Sequence, residues 1–137
     1  MSARRSAYAD QAHAATRDAG RIAARWATRS GAKWRSGAEN ATAVRLVREL
    51  KTRAMYGLAT CEHLAASPAV QWWVAWRPSV MRCTRCAHDV LVATRGTRED
   101  RRCDGCGRVV DLIHPTILQA EATVITLGLC GTCEAER

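Results

Sequence analysis

The sequence predicts an α+β fold in two parts, a helical and basic region over residues 1–60 and a small metal-organised module over residues 61–137. Three observations predict it. All seven cysteines of the 137-residue chain lie after residue 60. The net charge of +8 lies entirely before that point: residues 1–60 carry twelve Lys and Arg against four Asp and Glu, whereas residues 61–137 carry nine of each. Residues 3–28 are rich in alanine and free of proline, while the later apolar runs are short and bounded by glycine, proline and cysteine.

Because Ala is the best helix former, a long helix is expected from Ala3 to Thr28, before Ser30-Gly31 interrupts it. On it Arg17, Arg21, Arg25 and Arg29 recur every fourth residue as one slowly drifting stripe, beside an apolar stripe of Ala15, Ala19, Ile22 and Trp26. Lys33, Trp34 and Arg35 follow in a glycine-flanked linker. A second helix is expected from about Glu39 to Met55, with Ala43, Val47, Leu50 and Ala54 on its apolar face and Arg45, Arg48, Lys51 and Arg53 around the rest.

The cysteines carry the clearest chemistry. Cys83 with Cys86, Cys103 with Cys106, and Cys130 with Cys133 form three Cys-x-x-Cys pairs, and Cys61 has His63 two residues on. A structural zinc site takes four thiolate or imidazole ligands in a tetrahedron, so these eight ligands fill two closed sites and predict two structural Zn²⁺. Competing uses of cysteine fit less well. A disulfide framework requires an oxidising compartment, and no apolar segment of the kind a secretory signal needs follows the first residues. Thioredoxin-like chemistry uses one such pair in a βαβ unit. Iron–sulfur ligation uses the same thiolates, but a histidine completing an even count of eight favours zinc.

Three pairings of the ligand pairs are open. Ribbon-type spacing would join Cys83 and Cys86 with Cys103 and Cys106, sixteen residues apart. An interleaved cross-brace is the main competitor of the preferred, sequential pairing, which puts Cys61, His63, Cys83 and Cys86 on one ion and Cys103, Cys106, Cys130 and Cys133 on the other. The local sequence favours the last. Arg102 to Arg108 reads as a metal-binding knuckle whose glycines allow a left-handed turn, followed by strands expected at Val109 to Ile113 and Thr123 to Leu127. Knuckle, hairpin and a Cys-x-x-Cys opening a terminal turn resemble a treble clef, and the module is accordingly expected to be a two-zinc ribbon or treble clef.

Between the first two ligand pairs, residues 68–78 hold three of the five tryptophans. On a helix Trp72 or Trp73 would share a face with Trp76. They serve either as core covering the ligands or as a surface for stacking bases or docking a protein.

No catalytic constellation of the common hydrolase, deaminase or phosphate-loop types is present. Residues 103–137 resemble the treble-clef layout of HNH nucleases around Asp111 to Pro115. Leu112 stands where that family places a histidine, Glu134 where it places another, and its asparagine is missing, so the resemblance implies scaffold without catalysis. Residues 61–133, with Cys-x-His, a tryptophan-rich segment, Arg-Pro and three Cys-x-x-Cys pairs, are similar to uncharacterised cysteine-rich small proteins of high-GC bacteria and their phages. That likeness implies a bacterial or phage cytoplasmic setting and supplies no activity to carry over.

The expectation is therefore a non-enzymatic zinc protein that binds DNA or RNA through Arg17, Arg21, Arg25, Arg29, Arg45 and Arg48, as a transcriptional or phage accessory factor. Arginine suits phosphate because its planar fork binds bidentately and its charge releases counterions. Nineteen of the 21 basic residues are Arg, which a GC-rich coding sequence also explains, although such a bias does not confine the excess to one half. The alternative is an adaptor or inhibitor that docks an acidic protein through the zinc module, and a degenerate HNH-like nuclease comes third. No membrane partner and no small-molecule substrate are expected, since no apolar run approaches the ~20 residues of a spanning helix.

Overall fold

Alternation of side chains along short strands determines how this chain is layered. Residues 3–35, 40–64 and 68–136 are described by the computed structural model, Trp34 and Arg35 as backbone only. Helix α1 (Ala3–Ser30) leads into strand β1 (Lys33–Arg35), helix α2 (Ala41–Met55) and strand β2 (Ala59–Thr60). Strands β3 (Gln71–Val74) and β4 (Val80–Arg82) are followed by helix α3 (Thr84–Thr94) and a 3₁₀ turn at Arg98–Arg101. Strands β5 (His114–Ala120) and β6 (Thr123–Leu129) end in helix α4 (Gly131–Ala135). The strands form one six-stranded mixed sheet in the order β1-β5-β6-β3-β4-β2. Its two edges, β1 and β2, both come from the first sixty residues.

Both faces of the sheet are covered. Successive residues of a strand point to opposite faces, so the adjacent Trp72 and Trp73 feed two different cores, and both are fully buried. Trp72 and Val74 pack with Val124 and Ile117 against Ala19, Ala23 and Ala27 of α1 and Ala87 of α3. Trp73 packs with Leu118, Ile125, Leu127 and Met81 against Ala43, Leu46 and Leu50 of α2 and Cys133 of α4. Helices α1 and α3 therefore lie on one face, α2 and α4 on the other.

The expected long helix is present and continues to Ser30. Its buried line is Ala15, Ala19, Ala23 and Ala27, with Ile22 and Trp26 partly buried beside it. Small side chains let the helix approach the sheet closely. A Cβ at Gly20 would meet the Gln119 side chain at 3.2 Å, and Gln119 Nε2 donates to the Thr16 carbonyl at 2.8 Å.

Helix α2 runs to Met55 as expected; its expected start at Glu39 lies outside the described residues. Asn40 caps it, its side chain accepting from the Ala43 N–H at 3.0 Å. The same amide donates to the Cys133, Glu134 and Glu136 carbonyls at 2.8, 2.9 and 2.5 Å, which ties α2 to the carboxyl end of α4. The buried face is Thr42, Ala43, Leu46 and Leu50, so the face lies one residue away from the one read at Val47, and Ala54 is exposed.

Three expectations need correction. Residues 71–74 are strand, because bulky aromatic and β-branched side chains sandwiched between two cores suit a pleated, doubly buried segment better than a helix. The Lys33 to Arg35 linker is an edge strand, parallel to β5. Val109 to Ile113 is not a strand: Val109 makes one isolated bridge to Arg102, Val110 N–H donates to the Arg101 carbonyl, and Leu112 is exposed. The partner of the 123–129 strand is instead His114–Ala120, turned through Glu121-Ala122, with Glu121 at φ 53°.

Candidate metal centres

Each group of four expected ligands is assembled by the same local plan. A first ligand pair precedes an antiparallel hairpin, and the hairpin runs straight into a Cys-x-x-Cys that opens a helix. In the first centre Cys61 and His63 follow β2, β3 and β4 form the hairpin, and Cys83 is the N-cap of α3 with Cys86 in its first turn. In the second, the knuckle holds Cys103 and Cys106, β5 and β6 form the hairpin, and Cys130 is the N-cap of α4. The two hairpins meet along the parallel β3·β6 seam, and their helices lie on opposite faces of the sheet.

The sequential pairing is the one the structure brings together. Donor atoms of Cys61, His63, Cys83 and Cys86 all lie within 4.8 Å of one another, as do those of Cys103, Cys106, Cys130 and Cys133. All seven cysteines are free thiols. A tetrahedron with metal–sulfur bonds of ~2.3 Å has a sulfur–sulfur edge of ~3.8 Å, and the Cys106 and Cys130 sulfurs stand 3.9 Å apart. The two groups can each hold a metal ion, and the donor set is compatible with zinc.

Surrounding groups also fit such an ion. The N–H groups of Gly105 and Cys130 donate to the Cys103 sulfur at 3.3 and 3.2 Å, and the Cys83 N–H donates to Cys61 at 3.2 Å. Such bonds stabilise thiolate over thiol. His63 turns Nδ1 to the Cys86 sulfur at 3.2 Å, and its Nε2 lies 3.7 Å from the Glu62 carboxylate, the outward partner that fixes ring orientation at many metal sites.

Within each centre the thiols divide. At Cys61 burial opposes ionisation, but N–H donors from Cys83 and His63 outweigh it and hold the thiol down at about 6. Cys86, hydrogen bonded to Cys83, is pushed up to about 11. In the second centre the Arg108 guanidinium draws Cys106 down to about 6, whereas burial, reinforced by Cys103, pushes Cys133 up to about 12. Crowded sulfurs cannot all ionise by themselves; a divalent cation among them supplies the opposing charge.

The knuckle is held by more than sulfur. Cys103 N–H donates to the Arg108 carbonyl, and Gly107 N–H returns to the Cys103 carbonyl, both at 2.8 Å, with Gly107 at φ +78° as a left-handed turn requires. A Cβ on Gly105 would stand 2.7 Å from the Thr42 methyl group and 3.0 Å from the Cys133 sulfur. Asp104 locks the knuckle to β6 reciprocally: its N–H donates to the Gly128 carbonyl at 2.8 Å, and its carboxyl accepts from the Gly128 N–H at 2.6 Å. Burial pushes that carboxyl up to about 7 against the pull of this hydrogen bond. Asp104→Ala, which leaves the Gly128 N–H without an acceptor, is expected to cost about 1–3 kcal/mol. Asp104→Asn keeps an acceptor and should cost clearly less; equilibrium urea unfolding compares the two.

Sequence reasoning missed two supports, Asn40 and Asp104. Asn40 was legible as the chain's single asparagine just before an apolar-periodic run, a helix-capping signal. Asp104 was not, because nothing local announces its partner in β6.

The six arginines are exposed but not gathered on one surface. Arg17, Arg21, Arg25 and Arg29 belong to α1, whereas Arg45 and Arg48 belong to α2 across the sheet. Arg45 is engaged with the knuckle, donating to the Gly105 carbonyl at 2.6 Å, and Arg21 pairs with Asp18 at 2.6 Å. His114 begins β5 half-buried, Leu112 is exposed, and Glu134 lies in α4 paired with Lys33. No helix among the described residues is long and apolar enough to cross a membrane. Comparison with known protein families, with curated proteins and with solved structures finds no match.

Proposed function

We propose that this protein is a non-catalytic, two-zinc protein that binds DNA or RNA through the outer face of α1. The observation that carries this reading is the exposed run of Arg17, Arg21, Arg25 and Arg29 on a helix whose opposite, alanine face is committed to the sheet. Four residues of helix rise about 6 Å, so these guanidinium groups form a continuous track along one helix. Free phosphate binding by the α2 pair is disfavoured for Arg45 by its bond to the knuckle. The order of knuckle, hairpin and Cys-x-x-Cys helix in the second centre supports a treble-clef reading of that half. The protein's role would be that of a transcriptional or phage accessory factor.

Replacing Arg17, Arg21 and Arg25 with Gln should weaken binding across all sequences and flatten the slope of log K against log salt by up to ~0.9 per lost duplex contact. Metal content should be unchanged. Fluorescence anisotropy at several salt concentrations is the assay, and a wild type that binds neither duplex nor single strand at low salt would overturn the reading.

One observation favours protein docking as a second reading, at the end of α2 rather than on the zinc module expected to be the adaptor's interface. Met55 and Tyr56, at the end of α2, are 79% and 83% exposed, an apolar pair on the face opposite α1. Under that reading Tyr56→Ala would weaken capture of a protein partner that presents an apolar surface, while the arginine substitutions leave it intact.

A further inference from the structure

Beside the carboxyl end of α1, a cleft of about 160 Å³ opens between α1, α3, the 3₁₀ turn and the sheet. Trp26, Trp72 and Trp76 wall it, Asp104 lies at its lining, and Arg95 and Arg102 border it. Trp72 is anchored, fully buried, with its Nε1 donating to Thr84 at 3.0 Å and its ring edge-on to Trp26 at a centroid distance of 5.6 Å. Trp76 is only partly buried and is held by a 3.1 Å bond from Nε1 to the Thr94 hydroxyl. Trp76 is thus fixed in orientation by a polar bond at its edge, with part of its surface left accessible, while Trp72 forms the closed floor beneath it.

Size and charge narrow the ligand. A cavity near 150 Å³ holds a six-membered aromatic ring, so this open cleft suits one planar ring system with the remainder of its molecule outside. A small organic cation is a poor fit. The acids that line the cleft already have partners: Glu99 pairs with Arg77 at 3.2 Å, Asp100 accepts from the Gly96 N–H at 3.1 Å and Asp104 from the Gly128 N–H at 2.6 Å. Arg95 and Arg102 are exposed. Trp26 and Ser30, which directly follow Arg25 and Arg29 in the chain, line the cleft, so it opens beside the carboxyl-terminal turns that carry the last two arginines of the track. We propose that this cleft receives a single unstacked nucleobase from a strand whose phosphates lie along the α1 arginines, making single-stranded nucleic acid the preferred ligand.

This inference rests on the nucleic-acid reading above and deepens it: Trp76 would be the stacking residue, and Arg95 and Arg102 the contacts to the phosphate of the inserted nucleotide. Two measurements separate its failure from that of the reading. Oligonucleotide binding is followed by anisotropy, with a single strand and a duplex of equal length at equal salt. Occupation of the cleft is followed by tryptophan fluorescence during titration with the four nucleoside monophosphates.

The wild type should favour the single strand, and at least one mononucleotide should quench the fluorescence saturably. Trp76→Ala should weaken single-strand binding roughly 5- to 100-fold and abolish the quench, while Trp76→Phe, which keeps a stacking ring but not the fluorophore, should restore most of the strand binding. Zinc content and the thermal midpoint check folding. Should Trp76→Ala fail to fold, Arg95→Ala with Arg102→Ala, both at exposed positions, carries the test by weakening mononucleotide binding at least several-fold. If single strands bind, the α1 arginine substitutions weaken them, and the Trp76 variants change nothing, the cleft assignment is wrong and the nucleic-acid reading stands. If mononucleotides bind and no oligonucleotide does, the cleft assignment stands as a nucleotide site and the α1 track is wrong. Saturable quenching by tetramethylammonium but by no nucleotide overturns the ligand class.

Discussion

Purified protein is expected to contain two equivalents of zinc, and Cys103→Ser to lose one of them together with the folded structure of much of residues 103–133. The size of the effect follows from where Cys103 stands. Its sulfur is buried and accepts N–H bonds from both the knuckle and the start of α4, so one side chain joins the two ligand pairs of the second centre. Structural zinc binds zinc-finger peptides with about 10–16 kcal/mol at pH 7, whereas a whole domain is stable by about 5–15 kcal/mol, so the second centre cannot lose its ion and stay folded. The first centre, assembled by a different hairpin, should keep its ion. Native mass spectrometry with circular dichroism checks both halves of this expectation. One equivalent in the wild type, or loss of both ions from the single variant, would contradict two independent centres, and an iron–sulfur absorbance would contradict zinc.

Trp73→Ala is expected to destabilise the zinc-loaded protein by about 3–5 kcal/mol, lowering its thermal midpoint by about 10 °C or more. Trp73 is fully buried against α2 and the second centre, and its Nε1 donates to the Pro78 carbonyl at 3.1 Å, so truncation opens a cavity and leaves a carbonyl short of a donor. Tyr56→Ala, at a position 83% exposed, should change stability by less than about 0.5 kcal/mol. Equal midpoints for the two variants would show that the α2 core does not hold the sheet.

Much of the metal chemistry was legible because cysteine spacing is local. Each Cys-x-x-Cys needs only one turn to aim two sulfurs at one point, and the sequential pairing followed from the knuckle's glycines and the strands around it. The long helix was legible for a similar reason, since alanine periodicity is a property of contiguous residues. Residues 71–74 do not announce a strand, because tryptophans buried on both faces of a sheet show no alternation, the signal that distinguishes a strand from a helix. The 114–120 strand was displaced because Glu121-Ala122 carries none of the usual turn residues, leaving Pro115 as the only local punctuation. The four-residue recurrence groups the arginines of α1 correctly, but their separation from Arg45 and Arg48 depends on which face of the sheet each helix covers, and that is decided by partners far away in the chain.

The sheet's borders have a consequence for how this molecule behaves at high concentration. Exposed strand edges are templates on which further chains add and fibrils grow, and six strands with two long borders would be a hazard in a protein that buries so much Val, Ile and Leu. Among the described residues β1 has three residues and β2 has two, so either terminal strand offers an arriving strand backbone donors and acceptors over two or three residues. The seven-residue strands β5 and β6, which would be the best templates, are both interior. Short terminal strands thus act as blunt ends that keep neighbouring molecules from continuing the sheet.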